Sequence, residues 1–200
     1  LQLQRLLRGF DLPPGVSVGI YPNFLLVDLQ LTATHTSARR AATLLDGIER
    51  RLHRALGRAI YAVGEPSLEA AAGESLARHR ATVAIAESCT GGLVSTLLTE
   101  VPGSSRYLTL SVVAYHNQAK IRVLGVAPAL LARHGAVSAP VARAMAAGAR
   151  RLSGSTFGVS VTGIAGPGGG TAGKPVGLVY LAWAGPKSTQ VTRRVFYGDR

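Results

Sequence analysis

The chain has 200 residues, 47% hydrophobic, 16% charged and 6% aromatic, a balance that can bury a core and excludes a disordered tail. No apolar run reaches the roughly 18 to 20 residues of a membrane span, and the one cysteine, Cys89, excludes an internal disulfide framework and a cysteine-rich zinc site. A formal charge of +12 admits a nucleic-acid partner, but the arginines are dispersed, as at Arg39–Arg40, Arg50–Arg51 and Arg150–Arg151, without interleaved aromatics, and read as a solvated surface.

The start, Leu1-Gln2-Leu3-Gln4-Arg5, lacks a Met and reads as cut from something longer. Val16, Val18 and Ile20 alternate with small residues as in a strand, and Tyr21-Pro22-Asn23 is a turn signal. Leu25 to Thr32 alternates again, with Val27, Leu29 and Leu31 on one face and Asp28 and Gln30 on the other. From Ser37 to Leu56 the period lengthens. Ala41, Leu44, Leu45, Ile48, Leu52 and Leu56 form the apolar stripe of a helix, with Ser37 as N-cap and Gly57 as its stop. Ile60 to Val63 reads as a closing strand, and Gly64-Glu65-Pro66-Ser67 as a joint between two domains, 1–66 and 67–200.

The second domain alternates strand and helix. A helix runs from Ser67 to about His79, and Val83 to Ala86 is a short apolar strand of the kind covered on both faces. Gly91 to Leu98 is helical, Val112 to Tyr115 a strand, and Asn117 to Leu124 a helix with Asn117 as its cap. Helices over 128–133 and 140–152 precede strands over 157–161, 178–184 and 191–196. The order predicts an α/β fold: a layered α/β/α carboxy-terminal domain with a mixed sheet, preceded by a small α+β domain.

Several motifs fail on context. Gly15-Val16-Ser17-Val18-Gly19 fits the nucleophile-elbow pattern, yet its serine lies within an alternating strand instead of a strand–turn–helix. Gly168 to Gly173 fits a dinucleotide fingerprint, but Lys174-Pro175 and a strand follow it, so no helix N-terminus faces a pyrophosphate. As a Walker A loop it also fails, because Pro175 stands where the magnesium-binding hydroxyl belongs. What remains is a glycine-dense loop, Gly163 to Gly173, whose backbone can approach a ligand. His35, His53, His79, His116 and His134 show no HxxxH spacing, and no metal or other cofactor is expected.

Ala86-Glu87-Ser88-Cys89-Thr90-Gly91-Gly92 sits at the carboxyl end of a buried strand and the start of a helix, where open α/β sheets bind ligands. A serine there can attack a carbonyl while nearby amides and the helix N-terminus hold negative charge. Equally, Ser88 and Thr90 can simply cap the helix. No Ser-His-Asp arrangement suggests itself, since His116 has no carboxylate to orient it. Tyr115 and Lys120 offer another route, through a lysine whose pKa burial lowers or a tyrosine that relays the proton.

Three blocks, Ala84–Leu108 (AIAESCTGGLVSTLLTEVPGSSRYL), Val112–Val126 (VVAYHNQAKIRVLGV) and the pair VSVTGIAGPGGG and KPVGLVYLA at Val159–Gly170 and Lys174–Ala182, together resemble the carboxy-terminal domain of the CinA family, which includes bacterial nicotinamide-nucleotide amidases. Residues 12–66, with PPGVSVGIYPNFLLVDLQLTA, resemble the KH-like middle domain of full-length CinA proteins. The molybdopterin-binding-like domain that precedes it in the family, and its last helix beyond Arg200, fall outside this sequence. The resemblance implies deamidation of nicotinamide mononucleotide to nicotinate mononucleotide and ammonia in the cytoplasm, without a metal. Ser88 would be the nucleophile, Tyr115 and Lys120 the proton-handling pair, and Thr162 a group holding the carboxamide or oxyanion. Glu87, Thr90, Gly91, Asn117, Gly163, Gly166 and Arg200 are its further substrate-contact candidates. A homodimer is expected. The alternative is a non-catalytic nucleotide- or nucleic-acid-binding module linked to competence and DNA damage, but residues 1–66 contain no Gly-x-x-Gly of the kind that clamps a backbone, so nucleic acid is not expected as a partner.

Overall fold

A computed structural model describes residues 3, 7, 10–23, 26–64 and 67–197. The chain divides into two compact units, Leu1–Val63 and Gly64–Arg200. In the first, β1 (Val16–Asn23) pairs antiparallel with β2 (Leu26–Ala33), and α1 (Ala38–Leu56) follows. Tyr21, Pro22 and Asn23 do not form the expected turn. They stay in register opposite Asp28, Val27 and Leu26, because proline is tolerated in a strand that has a free edge. Leu25 of the predicted strand lies outside the described residues. Ser17 of the elbow-like pattern is an ordinary β1 residue. Helix α1 buries Ile48 and Leu52 from its predicted stripe and ends where Gly57 takes a φ of +52°. The expected closing strand over Ile60–Val63 does not form: a 3₁₀ turn, Gly57–Ala59, precedes it, and Tyr61 and Val63 are exposed and pair with neither β1 nor β2.

The second unit carries a five-stranded mixed sheet of order β4-β3-β5-β6-β7. Its strands are β3 (Val83–Glu87), β4 (Leu108–Val113), β5 (Phe157–Gly163), β6 (Leu178–Ala184) and β7 (Thr189–Val195). Strand β3 runs parallel to both β4 and β5, while β5–β6 and β6–β7 are antiparallel. The helices are α2 (Leu68–Arg78), α3 (Leu93–Thr99), α4 (Asn117–Arg122), α5 (Pro128–His134) and α6 (Ala139–Ser153).

Every residue of β3 is buried, as its unbroken apolar run predicts, and its alternation builds two cores. Val83 and Ile85 pack with Tyr107, with Leu76 and Ala77 of α2, and with Val94 and Leu98 of α3. Ala84 and Ala86 face the other way, onto Leu124, Val126 and the α6 residues Val141, Met145 and Ala149. Small side chains on β3 let α6 lie close to the sheet, and the buried Ser160 hydroxyl ties β5 to it by donating to Ala142 O at 2.6 Å. Strand β4 begins and ends earlier than the sequence suggests, at Leu108 and Val113, so Tyr115 lies beyond it; β5 runs two residues further, taking Thr162 and Gly163 into the sheet.

Candidate active site

The chain leaves β3 at its carboxyl end between two parallel neighbours. Ser88 extends the ladder by one bond, its N–H donating to Val161 O at 2.9 Å, and Ala114 N–H donates to Glu87 O at 2.8 Å on the other side. Gly91 and Gly92, with φ of +63° and +107°, then turn the backbone into α3, a conformation that costs glycine little. A strand sends consecutive side chains to opposite faces. Glu87 and Ser88 therefore go separate ways.

Ser88 meets Lys120. The Lys120 Nζ lies 3.0 Å from Ser88 Oγ and donates to Ala114 O at 2.7 Å and Tyr115 O at 3.1 Å. Lys120 is 1% exposed and Ser88 7%. Helix α4 holds the lysine in place through its cap, where Gln118 N–H donates to His116 Nδ1 at 3.2 Å. His116, not Asn117, is thus the capping residue, because its ring nitrogen reaches the second helical amide. Burial lowers the Lys120 pKa, against a smaller opposing pull from the neighbouring Cys89. A neutral amine has two protons and one lone pair. With the protons given to the two main-chain carbonyls, the lone pair faces the serine hydroxyl, as a general base requires.

Glu87 does not face a substrate. It is fully buried beneath α3, where Oε2 accepts from the N–H groups of Gly92 and Val94 at 3.0 and 3.1 Å and Oε1 from Ser95 N–H at 2.8 Å and from the Ser95 hydroxyl. Burial alone would raise this carboxyl. The Ser95 and Thr90 hydroxyls and the Ser95 and Val94 amides outweigh it and hold the pKa below the ordinary carboxylate range. The Thr90 hydroxyl oxygen is buried and close enough to contribute to that field, yet makes no hydrogen bond of normal geometry. The N–H groups of Gly92, Val94 and Ser95 are therefore given to Glu87 and are not the amides that would hold an oxyanion.

Thr162 is 1% exposed, and its hydroxyl donates to Ala136 O at 3.0 Å. Its single proton is committed, so it cannot also donate to an oxyanion; its lone pairs can accept from a carboxamide N–H. Tyr115 is 64% exposed, and its phenol has no hydrogen bond to Ser88 or Lys120 among the described residues. The residue reaches the lysine through its carbonyl, not its phenol. Asn117 and Gly91 are exposed beside the site, and Gly166 is half-buried with φ +84° before the cis bond to Pro167. Gly163 brings the glycine-dense loop to the serine turn: a Cβ there would stand 3.1 Å from Cys89 Sγ and 2.7 Å from Leu178 O. That loop is pinned by Lys174, whose Nζ donates to His134 O at 2.8 Å. Arg200 lies outside the described residues.

Two features escaped sequence reasoning. The carbonyls of Ala114 and Tyr115 that orient the amine, six and five residues before Lys120, carry no side-chain signal. The Glu87 cap was legible in principle, as a carboxylate five residues before the glycine that opens a helix. Two concavities, of about 450 Å³ beside Glu74, Arg78 and Arg106 and about 470 Å³ beside Arg150, Arg151 and Thr189, do not include Ser88 or Lys120 and contain no nucleophile paired with a base. Chemistry locates the site. Among the described residues, no group of three or more His, Cys, Asp or Glu side chains could hold a metal ion, and no helix is long and apolar enough to cross a membrane.

Fold and site together define an α/β protein with a serine–lysine pair at the carboxyl end of β3, an inner strand of a mixed sheet. Residues 65–200 match the model of the CinA C-terminal domain, and the chain belongs to that family. A CinA-like protein of Anaeromyxobacter sp. (strain K) is 52% identical over 164 residues, covering 82% of this chain and 39% of its own length. Another, from Parasynechococcus marenigrum (strain WH8102), is 47% identical over 192 residues, covering 95% of this chain and 46% of its own. The chain spans less than half the length of these curated relatives. Among solved structures, the competence/damage inducible protein CihA from Agrobacterium tumefaciens is 42% identical with a TM-score of 0.64, covering 69% of this chain and 86% of that one. A CinA superfamily protein from Escherichia coli is 30% identical with a TM-score of 0.65, covering 72% and 87%.

Proposed function

We propose that the second unit hydrolyses a small carboxamide, nicotinamide mononucleotide, with Ser88 as nucleophile and Lys120 as base. One observation carries the reading: the amine of a fully buried lysine, its pKa lowered by burial, stands 3.0 Å from the hydroxyl of Ser88 at a strand-to-helix turn. Neutral Lys120 takes the Ser88 proton as Oγ attacks the amide carbon, and the C–O bond forms while the carbonyl electrons move to oxygen. The resulting ammonium returns the proton to the amide nitrogen, the C–N bond breaks, and ammonia leaves from an acyl-serine. Water then attacks the ester, Lys120 takes its proton and passes it back to Ser88, and the carboxylic acid departs.

The route uses a side-chain nucleophile and water and calls for no metal. The reading includes a homodimer, which light scattering checks. The functional test incubates the protein with nicotinamide mononucleotide, without added metal, and measures ammonia. Wild type releases it, and Ser88→Ala falls roughly 10³-fold or more, the scale of losing a covalent nucleophile. Turnover by Ser88→Ala near the wild-type rate removes the nucleophile from Ser88.

A further inference from the structure

Glu87 and Lys120 are the two charged side chains buried in the described residues, and they lie on opposite sides of Ser88. Lys120 touches the serine hydroxyl; Glu87 does not. We propose that Glu87 is a positioning residue for the nucleophile: by gripping the first turn of α3 it fixes the Ser88–Gly92 loop and so aims Ser88 Oγ at Lys120. The inference rests on reading Ser88 as the nucleophile.

The geometry is demanding. Both carboxylate oxygens accept two bonds each, from Gly92 N–H and Val94 N–H on one and from Ser95 N–H and Ser95 Oγ on the other. The Ser95 hydroxyl also meets Ser111 Oγ on β4, so the grip extends to the neighbouring strand. Between Glu87 and its partners lies one short peptide loop, Ser88 to Gly91, closed by Gly91 N–H to Ser88 O at 3.2 Å and Leu93 N–H to Thr90 O at 3.2 Å. Gly91 at the end of the loop and Gly92 just after it hold left-handed φ and resist nothing by themselves. The rigidity of the loop therefore comes from its anchored ends: β3 before it and the carboxylate-held turn after it. A neutral amide cannot reproduce the grip, because in either orientation its NH₂ would face at least one N–H donor. Holding a nucleophile within a fraction of an ångström of its base matters, since a displacement of about 1 Å can cost roughly 100-fold in rate.

A merely structural cap and a positioning residue separate in the readout. Wild type, Glu87→Gln, Ser95→Ala and Thr82→Ala are compared for amide turnover and for the rate at which a fluorophosphonate probe labels Ser88, at a temperature where circular dichroism shows each variant folded. The probe reports nucleophile reactivity without substrate recognition, as the Ser88 oxygen displaces fluoride from phosphorus and its proton goes to base. Thr82 is the control: it accepts from Thr156 N–H at 3.0 Å at the far end of β3, and its loss should weaken the fold and leave both rates alone. The expected result is a fall of about 10- to 100-fold in kcat and in labelling for Glu87→Gln, with KM within about twofold. Ser95→Ala, which removes one bond of four, should fall in the same direction and carries the test if Glu87→Gln does not fold. Labelling that proceeds at the wild-type rate in the folded Glu87→Gln or Ser95→Ala protein overturns this proposal alone. A wild-type protein that the probe does not label at Ser88 overturns both this and the nucleophile assignment.

Discussion

Replacing Lys120 by methionine keeps a long unbranched side chain at a fully buried position and removes only the amine. Three polar contacts go: those to Ser88 Oγ, Ala114 O and Tyr115 O. Each buried carbonyl left without its donor costs about 1 to 3 kcal/mol. Against that stands the relief of no longer desolvating an amine, and exchanging a buried polar group for a well-packed apolar one is often neutral. The two effects should leave stability within about 2 kcal/mol of wild type. Catalysis should not be spared, because a positioned base contributes about 10² to 10⁴ in rate. Ammonia release from nicotinamide mononucleotide and a thermal melt on the same preparation check this together. Titration supplies a second signature. The folded protein releases the Lys120 proton at a lower pH than the unfolded chain does, since its pKa is depressed mainly by burial. Between the lowered value and the ordinary lysine value of about 10.4, the unfolded state binds more protons, so stability rises with pH. Below that window the folded state has to carry a buried ammonium, and its penalty is fully present. Turnover should rise with pH across the lower part of the same range as the neutral base is populated. In Lys120→Met the extra stability slope should vanish. A variant that keeps more than about a tenth of wild-type turnover, or one whose pH–stability slope is unchanged, would refute the assignment of Lys120 as the base.

Gly73→Ala should destabilise the second unit by about 1 to 3 kcal/mol, read by urea titration, because the added methyl would enter the ring of the buried Tyr107. Thr162→Val leaves Ala136 O without its donor and should cost about 1 to 3 kcal/mol by the same measurement; a larger effect on KM than on kcat would support its accepting a carboxamide N–H. Binding to short single-stranded oligonucleotides should be weak at moderate salt. Useful affinity with a steep salt dependence would instead make the +12 charge a nucleic-acid surface.

Legibility followed the physical range of each signal. The buried run at β3, the alanine-rich stripe of α6 and the order of strands and helices depend on near-neighbour periodicity, and these gave the mixed α/β sheet directly. Boundaries that tertiary pairing sets were less visible. Strand β4 is placed by its register against β3, with Val83 opposite Leu108 and Glu87 opposite Val113, and nothing local to residues 108–111 announces it. In the same way β5 extends to Gly163 because β6 is there to pair with it. Ile60–Val63 has the composition of a strand but no partner. At the site, residue types were readable and their targets were not. A lysine and a serine thirty-two positions apart meet only because two parallel strands bring their ends together. The local sequence only hints that the Glu87 carboxylate holds the start of α3, and nothing in it announces that Thr162 gives its proton to Ala136 O or that Tyr115 meets Lys120 through its carbonyl.

The odd–even arrangement of β3 has a consequence for how such a protein can diverge. Deleting or inserting a single residue between Val83 and Glu87 would exchange the two faces, sending the hydroxyl under α3 and the carboxylate against the amine, while also pressing valine and isoleucine onto a helix fitted to alanines. Changes in length should therefore be tolerated in the connecting loops and not within the strand that sets the serine–lysine pair.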